Sequence, residues 1–412
     1  MSPGPGPAAE RRPVRRLVLD RAFGAYMGGK LVMSLGIWVQ NIAAALFIYD
    51  LTASAAMVGL VNVLQFVPQI VVSPWAGTLS DRLDRRVLLM AGLAVSALST
   101  ALLAAWLVLG GDQPAEPSVA VFAVLAATLV MGAGMAVVGP ATHALIPGLV
   151  PVADLDTAVA LNSSTGNIAR AVGPALGAGM FALAGPGWTF AASAAAYTLF
   201  LGALAAMPYR DPPKGADSSL RNGLRFLRTQ PAMVKLIVTG GVMGFGVDPI
   251  LTLTPSIAAM FGRGELFVGI LASAFGCGAM LVLLVIGRPR FHLPRLVLVG
   301  LSLLATGLAG LALSPVPAAA VGSMVAAGAG FLLTSSSLMS LLQRQVPDEF
   351  RGRVMALWTV AYLGSRPVAA AFNGLVADYL SVRLALGMAA VLIAVVAVGA
   401  RGGGSGRRAV ER

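Results

Sequence analysis

Residues 55–86 read AAMVGLVNVLQFVPQIVVSPWAGTLSDRLDRR, a long apolar run that ends in a charged segment. A bilayer core about 30 Å thick is crossed by about 20 apolar residues in one helix, because backbone amides in hydrocarbon must be hydrogen-bonded within their own segment. The apolar part of this stretch is long enough for one crossing. Its charged end, DRLDRR, marks the point where the chain leaves the membrane.

The composition of the whole chain places it in lipid. Of its 412 residues, 57% are hydrophobic and 11% are charged, whereas soluble domains carry about 25% charged residues. One cysteine, Cys277, and two histidines provide neither a disulfide framework nor a histidine-rich metal site. The 29 basic and 17 acidic residues are scattered between apolar runs, which argues against nucleic-acid binding. We therefore expect no cofactor, no metal and no nucleic-acid partner.

Apolar runs of membrane-spanning length recur along the chain. We count twelve, near residues 23–49, 55–78, 87–109, 118–142, 158–184, 188–208, 232–260, 266–287, 294–313, 317–342, 354–379 and 383–400. Strands of a membrane barrel would be shorter and would alternate between apolar and polar residues. The runs predict an all-α membrane protein with twelve transmembrane helices.

The basic residues predict the orientation of these helices. If the N-terminus is cytoplasmic, most of the Lys and Arg residues fall on inner segments, and only Arg263 and Arg383 fall on outer loops. Cytoplasmic loops of membrane proteins carry this excess of positive charge. We therefore expect a multi-pass protein of the plasma (inner) membrane with both termini in the cytoplasm.

An internal repeat relates the two halves of the chain. A shift of 196 residues places Arg170 on Arg366, and a shift of 210 residues places Gly59 on Gly269. Two related halves are a common construction in transporters. We predict two pseudo-symmetric six-helix bundles.

The expected domain boundaries lie at the polar segments between the apolar runs, and the longest internal one, at 209–231, is a linker between the bundles. The linker could hold an amphipathic helix on the inner membrane surface, or it could be solvated throughout. The predicted units are a disordered basic N-terminal tail at 1–16, an N-terminal bundle at 17–208, a cytoplasmic linker at 209–231, a C-terminal bundle at 232–400 and a cytoplasmic tail at 401–412.

The loop after the second run resembles a signature of the major facilitator superfamily, G-x-L-x-D-R-x-G-R-R. Here Asp84 stands in place of the second glycine, and the matching residues are Gly77, Asp81, Arg82, Arg85 and Arg86. The resemblance implies the major facilitator fold and a conformational-switch loop, in which Asp81 meets the start of the eleventh span in one facing state. The alternative is that these charges only anchor the loop at the anionic inner surface.

The fifth run resembles a motif of exporters in the same superfamily. Ala169, Gly173 and Gly177 share one helix face beside Pro174, and small residues permit close helix packing. The segment is similar to the GPxxGG motif of antiporters that export drugs, with Ala178 at the last position. The resemblance implies export, and a simple packing face is the alternative.

Further segments resemble the enterobactin-exporter-like branch, also called transmembrane secretion effectors. They are Ser34–Trp38, Gln65–Pro68, Leu224–Arg228 and Arg351–Ala356. This resemblance covers nearly the whole chain. It implies efflux of small molecules, with siderophores and drugs as the substrate range.

Three of the charged residues within the predicted spans are candidates for function. A charge at mid-span costs at least about 2.5–3.5 kcal/mol, so it is expected to face the bundle interior. Asp248 could bind and release a proton, or it could cap a helix break near the outer surface. Arg170 and Arg366 are candidate counter-charges or contacts for a substrate anion.

Aromatic and polar residues of the first two spans are candidates for the lining of a central cavity. They could equally bond between helices. These residues are Trp38, Gln40, Asn41, Asn62 and Gln65.

These features predict a secondary active transporter rather than an enzyme, since only Asp248 lies clearly deep and no GxxxxGK(S/T) phosphate-binding motif is present. The expected function is proton-coupled export of a small amphipathic molecule, such as a drug, siderophore or other secondary metabolite, by rocker-switch alternating access. An uptake symporter for a small nutrient is the main alternative, and a non-transporting membrane protein or membrane-embedded enzyme is a remote one. We expect a monomer whose partners are its substrate, protons and the bilayer.

Overall fold

The computed structural model describes residues 13–82, 84–110, 116–209, 225–286 and 293–402, and these residues are almost entirely helical. Side chains are described for these ranges except at 73–82 and a few other helical positions. The helices are α1 Val14–Val18, α2 Arg21–Thr52, α3 Ala55–Arg82, α4 Arg85–Leu109, α5 Pro117–Leu145, α6 Leu155–Ala206, α7 Pro231–Val247, α8 Pro249–Thr252, α9 Thr254–Met260, α10 Glu265–Ile286, α11 Leu293–Leu313, α12 Pro317–Gln345, α13 Asp348–Tyr379 and α14 Val382–Gly402.

Twelve membrane crossings are present among the described residues. Ten helices are long and apolar enough to span a bilayer, and one of them, α6, is 52 residues long. It contains two helices, and therefore two crossings, that are separated at the non-helical Gly185, whose φ of 78° favours glycine, just before Pro186. Counting α6 twice and adding the more polar α13 gives twelve. We call the face with the start of α2 and the end of α14 the terminal face, and the opposite one the distal face.

The first and third crossings begin at acidic caps. Asp20 Oδ1 accepts hydrogen bonds from the amides of Ala22 at 2.9 Å and Phe23 at 3.0 Å, and so closes the open end of α2. At the start of α4, Asp84 Oδ1 accepts from the Arg86 amide at 2.7 Å. The residue that replaces the signature glycine is therefore a helix cap, which explains why a carboxylate is suitable there.

The seventh predicted run, 232–260, is not one helix. It is divided into α7, α8 and α9, with Pro249 and Pro255 in the first turns of the two short helices. Proline lacks an amide donor and clashes with the preceding turn, so each proline ends the helix before it. Asp248 stands at the first of these breaks.

One predicted boundary is corrected, and the end of the predicted linker is helical. Residues 14–16, assigned to the disordered tail, belong to α1, because Leu17 is buried in the same apolar cluster as Phe23. In the linker, residues 225–228 form a helical turn in which Leu227 is buried, while the Phe226 ring stacks on Phe350 with centroids 4.3 Å apart. Residues 1–12, 210–224 and 403–412 lie outside the described residues.

The outer surface of the bundles is apolar, as a lipid-facing surface requires. Along α14, Val391, Val395 and Val398 are all more than 60% exposed, whereas Leu386 and Ile393 are fully buried. The exposed positions recur at helical spacing and share one side of the helix. The same helix therefore packs on its bundle with one face and meets hydrocarbon with the other.

Two helix pairs join the bundles, and both rely on small residues. Helix α3 packs on α13, and α6 packs on α10. A Cβ built on Gly59 would lie 2.5 Å from the Ala370 carbonyl oxygen, and one built on Gly269 would lie 2.5 Å from Ala178 Cβ. Because Gly59 and Gly269 are related by the 210-residue shift, the internal repeat is visible in the interface itself.

We predict that Gly173→Leu destabilises the N-terminal bundle. A Cβ at Gly173 would lie 2.5 Å from Trp38 Cβ, and overpacking of this kind costs about 1–3 kcal/mol. The variant should show a lower apparent melting temperature in detergent. Gly179→Leu is the matched control on the same helix, because a Cβ there meets nothing within 4 Å. Equal losses in the two variants would contradict the packing role.

Candidate substrate cavity and the network between the bundles

A cavity of about 260 Å³ lies between the two bundles at mid-height. The N-terminal bundle contributes side chains of α2, α3, α5 and α6, and the C-terminal bundle contributes those of α7, α8, α10, α12 and α13. Trp38, Asn41 and Gln65 lie in its wall, together with Arg170 and Arg366. A site shared between the bundles changes shape when they move relative to each other, as alternating access requires.

The two arginines reach across the interface reciprocally. Arg170 belongs to the N-terminal bundle, and its guanidinium carbon lies 5.0 Å from the ring centroid of Phe331 on α12. Arg366 belongs to the C-terminal bundle and lies 4.6 Å from the ring centroid of Phe66 on α3. Each such cation–π contact contributes about 0.5–2 kcal/mol. The stacks therefore help to hold the bundles in this arrangement.

Neither guanidinium has an acidic partner among the described residues. Arg170 also faces Trp38, and Arg366 faces Tyr362, with ring centroids 6.0 and 5.6 Å away. The Arg366 Nε is buried and has no hydrogen-bond partner in the described part of the chain. Two cations held mainly by aromatic faces retain most of their donors for something else.

Asp248 is fully buried and belongs to a hydrogen-bonded chain that crosses the interface. Its Oδ2 accepts from Thr252 Oγ1 at 3.0 Å and from Asn373 Nδ2 at 3.2 Å. Asn62 of the opposite bundle donates to the Thr252 hydroxyl at 3.0 Å. Within the described ranges, Asp248 Oδ1 and Asn373 Oδ1 have no partner. The carboxylate is thus only partly satisfied.

Asp378, at the distal end of α13, caps a helix of the other bundle. Its carboxylate accepts from the amides of Ala55 at 2.7 Å and Ala56 at 3.0 Å, and from the Ser54 hydroxyl at 2.5 Å. A negative charge at a helix N-terminus is favourable because the amides there lack intrahelical partners. Close backbone contact continues one turn below, where a Cβ on Gly374 would lie 2.7 Å from Ala56 Cα.

These contacts show which side of the protein is closed. The Asp378 cap, the Gly374 contact and the Asn62–Thr252–Asp248 chain all lie in the distal half. Toward the terminal face the cavity wall includes Gly139, which is exposed and has no atom within 4 Å of a Cβ position. The cavity therefore opens toward the terminal face.

Two of the expected cavity residues lie elsewhere. Gln40 is buried inside the N-terminal bundle, where its Oε1 accepts from Tyr197 at 2.8 Å and from Thr100 at 3.1 Å. Asn62 is occupied by its bond to Thr252 rather than facing the cavity. Both outcomes follow one rule: a buried amide turns toward the donors and acceptors that satisfy it.

The sequence motifs of the fifth span and of the loop can be located in part. Ala169 and Gly177 are buried, and a Cβ on Gly177 would lie 3.0 Å from Val39 Cα. Like Gly173, Gly177 therefore packs on α2. In the loop, Arg86 donates to the Ala205 carbonyl at 2.7 Å. Gly77, Asp81 and Arg82 lie outside the described side chains.

From the sequence, Asp378 is expected to be a boundary residue and Lys30 to extend toward the inner surface, and neither expectation identifies the partners that the structure shows. Lys30 Nζ donates to the Asn162 carbonyl oxygen at 3.1 Å and to Asn162 Oδ1, and Tyr26 donates to the Thr142 carbonyl at 2.7 Å. In both cases the partner is more than 100 residues away in the chain. A charge near a helix end is the only local signal, and it does not identify the partner.

We predict that Asp378→Ala loosens the distal closure. Loss of a capping residue costs about 1 kcal/mol, which corresponds to about a fivefold change in an equilibrium. In a Cys277→Ser background, a reporter cysteine at the buried Val58 should react faster with a membrane-impermeant thiol reagent added from the distal side. Glu116→Ala, at an exposed acid on the same face, is the control. Equal labelling rates would show that Asp378 caps α3 without holding the bundles together.

The fold is shared with solved structures of transporters. A mutant of the nucleoside transporter NupG superposes with a TM-score of 0.73 at 14% identity, covering 93% of this chain and 99% of that one. A D-xylose–proton symporter gives 0.72 at 16% identity over 91% and 95% of the two chains. A bacterial homologue of the iron transporter ferroportin, in an inward-facing state, gives 0.72 at 13% identity over 94% and 99%. At these identities the likeness establishes the fold.

Sequence comparison identifies the family. The enterobactin exporter EntS of Citrobacter koseri is 28% identical over 375 residues, which cover 86% of this chain and 84% of that protein. EntS of Shigella boydii serotype 18 is also 28% identical, over 376 residues and the same shares. The sequence profile of the transmembrane secretion effectors matches residues 19–401. The chain therefore belongs to the transmembrane secretion effector family of major facilitator transporters, and it is a membrane transporter rather than an enzyme.

Proposed function

We propose that this transporter exports a small amphipathic molecule from the cytoplasm in exchange for protons. The single observation that carries the proposal is the cavity between the bundles, closed on the distal side and open on the terminal side. Rocking of the bundles about this cavity would expose its contents to each face in turn.

The direction of transport is supported by charge and by the relatives. Arg21, Arg228 and Arg344 lie on the terminal face, whereas Arg263 and Arg383 lie on the distal face. The excess of basic residues on the terminal face supports a cytoplasmic location for it and for both termini. The relatives are named as exporters of enterobactin, a siderophore, and the GPxxG segment of the fifth span matches export motifs. An uptake symporter has only the general fold in its favour.

Asp248 is the residue we propose as the proton carrier. A buried carboxylate without an ion-pair partner or a full set of hydrogen bonds is costly. Asp248 has hydrogen bonds to one oxygen only, and Arg366 acts on it from beyond ion-pair distance. Binding a proton removes that cost while the distal side is closed, and opening this side would hydrate the carboxylate. The proton therefore favours the arrangement that is open to the terminal face. A substrate that favours the opposite arrangement is then exchanged against it.

Direction is tested with inverted membrane vesicles, in which the cytoplasmic face is accessible. With an imposed proton gradient, vesicles containing the transporter should accumulate enterobactin or a member of a panel of amphipathic drugs, and a protonophore should abolish the accumulation. A parallel screen asks which compound becomes toxic, or accumulates in cells, when the protein is deleted. Accumulation only by right-side-out vesicles would establish uptake instead.

We predict that Asp248→Asn abolishes gradient-driven accumulation but retains substrate binding. The amide keeps the shape of the side chain and cannot carry a proton. Glu116→Gln is the control, since Glu116 is an exposed carboxylate at the start of α5. Accumulation at an unchanged rate in Asp248→Asn would remove this residue from the coupling mechanism.

A further inference from the structure

We propose that Arg170 and Arg366 form an anion site, to which each bundle contributes one arginine, and that the transported molecule carries a negatively charged group beside an aromatic or apolar body. The proposal deepens the function above and rests on it only in treating the cavity as the transport site. Of the two roles considered for these arginines, a counter-charge within the protein and a contact for a substrate anion, we assign the second.

The bonding of the buried cations distinguishes the arginines from Lys30. Lys30 donates twice to Asn162 and is therefore satisfied within its own bundle. In the described part of the chain, by contrast, Arg170 and Arg366 have ring contacts and no hydrogen bond or ion pair. A guanidinium has five donors and no acceptor, so these donors require an acceptor from outside the protein.

The cavity wall contains no negatively charged hydrogen-bond acceptor. The residues that line it are apolar, aromatic or neutral polar apart from the two arginines, and none is Asp or Glu. Two polar residues of the wall are hydrogen-bonded to each other: Gln65 Nε2 donates to Asn41 Oδ1 at 3.1 Å. A space with two positive charges and no negative one selects for an anionic ligand.

Asp248 makes no ion pair with either arginine in this arrangement, although its charge is felt at Arg366. It is absent from the cavity wall, and its Oδ2 is taken up by Thr252 and Asn373. Asn373 lies two helical turns from Arg366 on α13. The carboxylate is therefore held in the layer above the arginines, toward the distal face, where it attracts Arg366 at a distance and leaves Arg170 without a counter-charge in the described ranges.

The neighbouring rings define the rest of the ligand. Each arginine lies over a ring of the opposite bundle, Phe331 for Arg170 and Phe66 for Arg366. A ligand ring can replace one of these stacks, while a carboxylate or phenolate oxygen accepts from the guanidinium edge. The volume of about 260 Å³ accommodates a body of two fused rings. The chemistry that fits is an aromatic acid or a larger molecule built from such groups.

The test compares two probes that differ only in charge. They are 1-hydroxy-2-naphthoate, an aromatic anion, and 1-hydroxy-2-naphthamide, its neutral amide. Binding of each to the full-length protein in lipid nanodiscs is measured by calorimetry. Because hydrogen bonds to charged groups are about twice as strong as neutral ones, we expect the naphthoate to bind about tenfold or more tightly than the amide. Equal affinities, or no binding of the naphthoate, would overturn the proposal.

Single substitutions assign the preference to the arginines. Arg170→Gln and Arg366→Gln should each reduce the preference for naphthoate to about threefold or less, whereas Arg366→Lys should retain part of it. Affinity for the amide shows that each variant remains folded. Arg344→Gln removes an exposed arginine outside the cavity and should change neither affinity. A preference that survives in the double variant Arg170→Gln/Arg366→Gln would overturn the assignment.

The result is separable from the outcome of the vesicle experiment. Charge-independent binding together with accumulation in vesicles would reject the anion site and leave export intact. A charge preference that depends on both arginines, without accumulation in either vesicle orientation, would leave the site intact and reject export.

Discussion

The bundles of this transporter can approach each other only where side chains are almost absent. At Gly59, Gly269 and Gly374 one helix backbone lies against its partner so closely that even a methyl group would collide. Hydrocarbon offers no hydrophobic drive for helix association, so close packing and a few polar contacts must supply the attraction. The arrangement of cavity, network and cap depends on this small-residue contact, because it sets the distance between the groups above and below it.

Polar groups at the interface fall into two kinds, and the difference bears on function. Asp378, Asn62 and Thr252 find partners across the interface and stabilise the closed distal half. Across the interface, Arg170 and Arg366 contact aromatic rings and no hydrogen-bond acceptor among the described residues, so they lie in the cavity with donors to spare. A protein that only needed to be stable would gain by replacing such unsatisfied cations. Their presence in the wall is explained if a transported molecule accepts hydrogen bonds from them.

Much of the fold could be predicted from the sequence, because the constraint imposed by lipid is local. Each apolar run must satisfy its own backbone, so its length and its flanking charges identify a span without knowledge of its neighbours. The broken seventh crossing was less clear, since Pro249 acts on geometry rather than on hydropathy. The cavity was harder still. Gln40 and Asn41 are adjacent in sequence, yet only Asn41 faces the cavity.

The contacts between residues of separate halves of the chain could not be predicted from the sequence. Arg170 and Arg366 were recognisable as unusual because charge is expensive inside a span. Their reciprocal stacking on the rings of the opposite bundle was not, since it joins residues from separate halves of the chain. The same holds for Asp378, whose role depends on the start of α3, 323 residues away in the case of the Ala55 amide.

The short turn at Gly185 has a mechanical consequence. The helix before it contacts α10 of the other bundle, and the helix after it packs on α4, where a Cβ on Gly187 would lie 2.8 Å from Val108. Only the non-helical Gly185 separates the two helices, so they have little freedom to move apart. A displacement of the first helix at the α10 contact therefore pulls on the second, and both move with the N-terminal bundle as one body.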